Sequence, residues 1–243
     1  MTISDTPPPS RLAVLIAQSG LCSRRAASRL ISAGRVTVAD KVASHTLHLS
    51  DSSTIRVDGK PLPGRPASCY YLYHKPVGID CNIRPDDPAS IASVLAQLPE
   101  RLYPVGRLDK DSRGLLLLTN DGALTQRLLH PDSHQPKTYL VTVDKPITAE
   151  LSQQFAAGIS WHVGPHQYQA KPCEAEVLAP YQLKITLKEG QNRQIRYMCR
   201  ALGYRVPDLC RVAIGELQLG ALAAGALRPI SAEELALLQT RAC

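Results

Sequence analysis

Hydrophobic and polar positions change period several times along this chain of 243 residues. Near the start, Leu12, Leu15 and Ile16 share one face of a helix that Ser19-Gly20 is placed to end. Ser23 can cap a second helix, whose apolar stripe is Ala27, Leu30 and Ile31 and which Gly34 stops. Arg24, Arg25 and Arg29 fall off that stripe and point outward. The period then shortens to two in Arg35-Val36-Thr37-Val38, with Ala39-Asp40 as the turn before Lys41-Val42. Ile55-Arg56-Val57 followed by Asp58-Gly59 repeats the strand-turn pattern. Two short helices and a small hairpin sheet make a unit of about 50 residues, small for an independent core.

Pro61, Pro63, Gly64 and Pro66 punctuate the next stretch as a linker. The chain turns apolar again at Tyr70-Tyr71-Leu72-Tyr73. Further strands are expected over 115–119, 139–143, 174–178 and 183–187, and helices over 91–97, 124–129, 150–156, 193–202 and 232–239. Strands bounded by turns and interrupted by few helices predict an α+β class with a largely antiparallel sheet. The organisation is then a loose Pro-rich tail over 1–10, a small domain over 11–60, a linker over 61–69 and a larger domain over 70–243.

Charge sharpens this division. Residues 1–68 hold nine basic and four acidic side chains, a net of +5, whereas residues 69–243 hold 19 and 17, a net of +2. A basic appendage on a nearly neutral body suits a polyanion partner, although a solvated basic face gives the same count. The longest apolar run near the start spans 12–17, far short of the roughly 18 residues of a membrane span. Seven cysteines, an odd number with no CxxC pair, argue against a disulfide framework or zinc ribbon. A soluble, cytoplasmic protein is expected.

The densest chemical signal is Gly106-Arg107-Leu108-Asp109-Lys110-Asp111-Ser112-Arg113-Gly114, running into Leu115-Leu116-Leu117-Leu118-Thr119 and an Asn120-Asp121-Gly122 turn. A charged loop anchored on a buried strand is a suitable seat for a reactive group. Asp109 lies between Arg107 and Lys110, which favours its ionised form and with it a nucleophile or general base. The other reading is that Asp109 and Asp111 are ordinary turn residues. Arg193, Arg196 and Arg200 recur at i, i+3 and i+7 along one predicted helical face, suited either to phosphates and a catalytic carboxylate or to solvent. Tyr139 opens an apolar strand beside Lys137, where it can stack on a base or sit half-buried. His130/His134 and His162/His166 have i, i+4 spacing, but Pro131 and Gly164-Pro165 break any helix that aligns them. No metal site and no nucleotide-cofactor motif is expected.

These motifs resemble the signature of the RsuA/RluB/RluE/RluF family of RNA pseudouridine synthases. Gly106-Arg107-Leu108-Asp109 and the following 114–122 segment are similar to its defining motif. Lys75-Pro76-Val77-Gly78 is similar to the first motif, Lys137-Thr138-Tyr139 to the second and Gln194-Ile195-Arg196 to the third. Arg211 through Leu219 and Leu227-Arg228-Pro229-Ile230 resemble the closing segments. Asp144-Lys145-Pro146-Ile147-Thr148 and Gln191-Asn192-Arg193-Gln194 look closest to the RluF branch. The resemblance implies a small alpha-L RNA-binding domain followed by a catalytic domain with a mainly antiparallel sheet around a central cleft. It implies isomerisation of uridine to pseudouridine without cofactor or metal. Asp109 would be the catalytic aspartate, Tyr139 would stack under the target base and Arg196 would pair with Asp109. Arg107 would hold the flipped target, while Arg24, Arg25, Arg35, Arg193 and Arg200 would track RNA phosphates.

The sequence also departs from the family pattern. Arg113 replaces a small hydroxyl residue, Tyr197 a second arginine, Ala213 a frequent basic residue and Ala39-Asp40 an Asn-Gly turn. The chain stops soon after Arg241, so no basic tail is expected to add rRNA contact. Three readings stand. The first is a monomeric synthase acting on large-subunit (23S) rRNA, naked or in a ribosomal particle, with a tRNA anticodon loop as a further substrate. The second is a small-subunit rRNA synthase, and the third a non-catalytic RNA-binding protein.

Overall fold

The computed structural model describes residues 10–130, 135–148 and 150–239. The tail over 1–9, His134 and Arg241 lie outside the described residues. The chain divides into two compact units, residues 1–68 and 69–243.

In the N-terminal unit, helices Leu12–Gln18 and Arg24–Ser32 pack against each other and bury Leu12, Ile16, Ala27 and Ile31. Ser23 caps the second helix as its position predicts, its Oγ accepting from the Ala26 amide at 3.1 Å. The partner of this helical pair is an antiparallel sheet in the order Lys41–Val42, Val36–Val38, Ile55–Val57, Lys60–Pro61. Val36, Ile55 and Val57 complete the core. Pro61 lies on the sheet edge and Leu62 packs on this core, so the first residues of the Pro-rich stretch belong to the unit.

The larger unit is built on a nine-stranded sheet whose principal order is Glu174–Ala179, Gln182–Leu187, Lys137–Thr142, Asp208–Ile214, Arg113–Thr119, Tyr70–Lys75, Leu227–Pro229. Every pairing along it is antiparallel except one, between Arg113–Thr119 and Asp208–Ile214. The Arg113–Thr119 strand is central, and its leucines explain the unbroken apolar run. Leu115 and Leu117 enter one hydrophobic cluster, and Leu116 and Leu118 enter another, all four fully buried. A strand covered on both faces loses its polar alternation. Each such leucine stabilises the fold by about 1.5–3 kcal/mol. A third cluster lies beneath helices Leu151–Ala157 and Gln194–Ala201, with Phe155 and Met198 fully buried.

Several strands of this unit escape sequence patterning, Tyr103–Pro104, Leu217–Gln218 and Leu227–Pro229 because they are only two or three residues long. The Ser160–Val163/His166–Gln169 hairpin is short and mostly exposed, so it carries no apolar signature. His162 and His166 sit on it as surface residues. The Asp208–Ile214 strand is masked by Asp208 and Arg211. Asp208 forms a bidentate pair with Arg113 at 2.8 Å, and Arg211 is buried.

The Ala39-Asp40 turn holds both residues at positive φ, 47° and 63°. Such a turn favours Asn-Gly, because a Cβ crowds the left-handed backbone by about 1–2 kcal/mol per residue. The double substitution Ala39→Asn/Asp40→Gly is therefore expected to stabilise the N-terminal unit by about 1 kcal/mol. The check is slower amide exchange across residues 36–42; unchanged exchange would count against strain at this turn.

Candidate active site

The loop over 106–112 leads into the central strand and is held from several sides. Gly106 takes a left-handed φ of 72°, and the Asp109 carbonyl accepts from the Ser112 amide at 3.0 Å. From the Tyr70–Lys75 strand, fully buried Lys75 donates to the carbonyls of Pro76 (2.9 Å) and Ile79 (2.8 Å). The turn so formed presents Gly78, whose amide donates to the Lys110 carbonyl at 2.7 Å. Lys75-Pro76-Val77-Gly78 is thus a brace beneath the loop.

Asp109 is half-buried on the wall of a cleft of about 580 Å³ that also takes in Arg107, Lys137, Tyr139, Arg193 and Arg211. That volume lies in the range of small-ligand sites. Burial pushes the Asp109 carboxyl above its ordinary value and outweighs the cations. Arg193, Arg196 and Arg107 oppose the rise, and the nearby Asp111 carboxylate adds to it. The expectation from sequence neighbours is corrected here: Lys110 is exposed and does not set the balance, because distance and burial act in space.

Arg196 is also corrected. It does not form an ion pair with Asp109; its Nε lies 3.4 Å from Asp111 Oδ2, and its Nη2 donates to the Asp111 carbonyl at 2.7 Å. Arg193 donates to both Asp111 oxygens, at 2.8 and 2.6 Å. These contacts pull the Asp111 carboxyl below the usual range, led by the Arg193 hydrogen bonds. The three arginines do not share one face. Arg193 precedes the helix Gln194–Ala201 in a left-handed conformation with φ of 53°, the kind of strained backbone that gathers at functional sites. Arg196 turns inward, while Arg200 is exposed, lines a separate hollow with Asp144 and Arg205, and lies over the Tyr197 ring. Gln194 secures the opposite lip, donating to Glu189 at 2.6 Å and accepting from the Gln191 amide at 3.0 Å.

Tyr139 is half-buried on the cleft wall, in register with Arg211 on one side and Ile185 on the other. Arg107 stands exposed at the rim, 3.4 Å from Asn82 Oδ1. In the N-terminal unit Arg24 and Arg25 are exposed. Arg35 is not free in the way its sequence suggests: it is locked bidentate onto Asp58 at 2.7 and 2.6 Å. Sequence reasoning passed over the cleft cations Lys137 and Arg211 as site residues. The signal present was a basic residue two positions before Tyr139 and an arginine inside an apolar run. Among the described residues no group of three or more His, Cys, Asp or Glu could hold a metal ion, and no helix is long and apolar enough to cross a membrane.

Residues 69–201 match the family model for RNA pseudouridylate synthase, and residues 10–46 match the S4 domain. The dual-specificity RNA pseudouridine synthase RluF of Salmonella typhi is 37% identical over 93% of this chain and 77% of its own length. The ribosomal small subunit pseudouridine synthase A of Salmonella typhimurium is 36% identical over 93% of this chain and 98% of its own. A crystal structure of a pseudouridylate synthase superposes with a TM-score of 0.68 at 32% identity, covering 94% of this chain and 99% of that one.

The two loop aspartates should move stability in opposite directions. Asp109 takes up its proton more readily folded than unfolded, so its ionised form opposes folding above its raised value. Asp109→Asn is expected to leave the thermal midpoint unchanged or higher at pH 7, with any gain shrinking as pH falls into the ordinary carboxylate range. Asp111, with its lowered value, contributes stability that is lost as pH falls through it. Allowing for its exposure, Asp111→Asn is expected to cost about 1–2 kcal/mol at pH 7. Chemical denaturation of both variants across pH 4–8 (roughly the span over which carboxylates finish titrating) checks the pair; a loss for Asp109→Asn would contradict the burial argument.

Proposed function

The chain belongs to the RNA pseudouridylate synthase family and isomerises uridine to pseudouridine in RNA, and we propose that Asp109 is the carboxylate that acts on the ribose of the target. The observation that carries this role is its position: one half-buried carboxylate, free of an ion pair among the described residues, in a cleft sized for a nucleoside with Tyr139 on the wall. Its neighbour Asp111 is consumed by two arginines and is a poor candidate. Burial that raises proton affinity also makes the ionised form a stronger base and nucleophile. Either attack at C1′ or removal of a ribose proton fits that geometry.

Tyr139 supplies a flat ring beneath the uracil, a contact worth about 1–3 kcal/mol. Arg107, exposed at the rim, suits the phosphate beside a nucleotide drawn out of its stack, a step that costs a few kcal/mol. Arg196 and Arg193 act through Asp111, fixing the loop against the helix start rather than touching the reacting atoms. The exposed Arg24 and Arg25 of the S4-matching segment would follow RNA phosphates and shape. Arg35, Arg193 and Arg200 are less suited, the first two being spent on carboxylates and the third facing away from the cleft.

The substrate we favour is large-subunit (23S) rRNA, with a tRNA anticodon loop as a further target, modified by a monomer in the cytoplasm. Support comes from the RluF-like segments and the 37% identity to an enzyme named for dual specificity. A small-subunit rRNA target is the second reading, favoured by 36% identity across nearly the full length of a small-subunit enzyme.

Carbodiimide mapping of pseudouridines in total rRNA and tRNA tests both role and address, comparing cells with the protein, without it and with Asp109→Asn. A site lost in both deficient strains is expected, with the rate falling at least ~10³-fold for Asp109→Asn. A site that survives Asp109→Asn but not deletion would remove Asp109 from this role. Neutralising Arg24 and Arg25 together to Gln is expected to raise KM for RNA with kcat nearly unchanged and to flatten the salt dependence of binding. A fall in kcat alone would argue against phosphate tracking.

A further inference from the structure

Two cations are buried in the wall of the cleft without a counter-charge. Arg211 retains 4% of its accessible surface and Lys137 8%. The Arg211 Nε donates to the Leu115 carbonyl at 2.8 Å, but its Nη2 is buried with no hydrogen-bond partner among the described residues. Lys137 Nζ donates to the Gln135 carbonyl at 2.8 Å. No carboxylate lies within ion-pair distance of either among the described residues. Burial, reinforced by the charge of Arg211, holds the Lys137 amine down to about 7. The other charged groups around the cleft are Asp109, Arg107 and Lys110 on the loop, Asp80 beside it, and Glu189 and Arg193 before the helix.

A buried cation without a carboxylate partner opposes folding, and unlike Lys75, whose ammonium is taken up by two loop carbonyls, Arg211 keeps an unsatisfied Nη2 at the cleft, where a ligand can bring negative charge. Register places them around Tyr139: Lys137 is two residues earlier on the same face of its strand, and Arg211 is its partner across the ladder. Both cations therefore line the cleft beside the Tyr139 ring. Resting on the assignment of the target uridine to this cleft, we propose that Arg211 and Lys137 receive the negative charge of the uracil while it is detached, by hydrogen bonds to a ring carbonyl oxygen.

The electron count is as follows. The C1′–N1 bond breaks with its pair on the ring, giving a uracil anion with charge shared between N1 and the carbonyl oxygens. The deficit at C1′ is met in one of two ways: by a bond from an Asp109 carboxylate oxygen, which breaks with its pair back on oxygen as C5 bonds to C1′, or by the electron pair of the ribose C2′–H bond as its proton passes to Asp109, which returns that proton to C2′ when C5 bonds. Bonding through C5 returns a pair to C1′, and the C5 proton is lost as N1 gains one, so substrate and product are isomers. Arg211 donates hydrogen bonds throughout and gives up no proton. Because the anion exists only during reaction, these contacts strengthen between ground state and transition state, which raises kcat rather than affinity.

The test measures single-turnover rate and RNA dissociation constant side by side for Arg211→Gln, Lys137→Gln, Lys137→Arg and Asp109→Asn. Arg211→Gln is expected to slow the rate about 10²-fold or more with the dissociation constant within about twofold. The wild-type rate should fall as pH rises through about 7, where Lys137 loses its proton, and Lys137→Arg should abolish that fall. If Arg211→Gln does not fold, Lys137→Gln decides, with a slowed rate and unchanged binding expected. Weakened binding at an unchanged rate would overturn the proposal in favour of a ground-state phosphate contact; unchanged rate and pH profile would overturn it outright. Full activity in Asp109→Asn would instead remove the uridine from this cleft, whereas an inactive Asp109→Asn beside an active Arg211→Gln overturns the charge-receiving role alone.

Discussion

Where the Asp208–Ile214 strand passes Gly114, a Cβ would stand 2.3 Å from the Arg211 carbonyl oxygen and 2.5 Å from its amide nitrogen, and Gly114 itself has φ of 114°. Both the space and the backbone conformation demand glycine there. This close passage is the parallel junction of the sheet, and most of the site depends on it. It sets Arg211 against the Leu115 carbonyl, brings Asp208 to Arg113, and fixes the strand that follows the Asp109 loop. The Lys137–Thr142 strand then pairs on the far side of Asp208–Ile214, which carries Tyr139 and Lys137 to the same cleft. A larger residue at Gly114 would part these strands and disperse the groups between them.

The loop above that junction divides labour between two carboxylates two residues apart. Asp111 is exposed enough to be solvated and is gripped by Arg193, with Arg196 nearby, so it stays ionised and structural. Asp109 is more deeply buried and has no such partner among the described residues, so its proton affinity rises. Divergent environments thus push the proton affinities of two neighbouring acids apart. The cations differ in the same way. Arg193, Arg113 and Arg35 are neutralised by carboxylates at their own locations, whereas Arg211 and Lys137 are buried in the cleft with no carboxylate partner among the described residues.

The N-terminal unit obeys simpler physics. Among the described residues its buried core is built of small and branched apolar side chains, and its exposed helix face displays Arg24, Arg25 and Arg29 with no acidic residue among them. A weakly selective electrostatic contact suits the RNA-binding S4 family that this segment matches.

The sequence by itself determined the elements whose pattern is local. The capped helix at Ser23, the turn at Asp58-Gly59, the Arg113–Thr119 strand inferred from its leucines and the candidacy of Asp109 and Tyr139 could all be read from spacing and motif. The two-unit organisation was legible because charge and punctuation change together near residues 61–68. Tertiary structure alone decided which charges meet. Neighbours in sequence suggested that cations ionise Asp109, yet burial governs it. A helical spacing suggested three aligned arginines, yet the helix begins after Arg193 and only Arg196 turns in. Arg211 entered the sequence reading only as the start of a family-like segment, yet a glycine 97 positions earlier lets its backbone pass close and its side chain is buried. Periodicity reports which face a residue occupies, whereas electrostatics depends on distances across strands and on water removed by other parts of the chain.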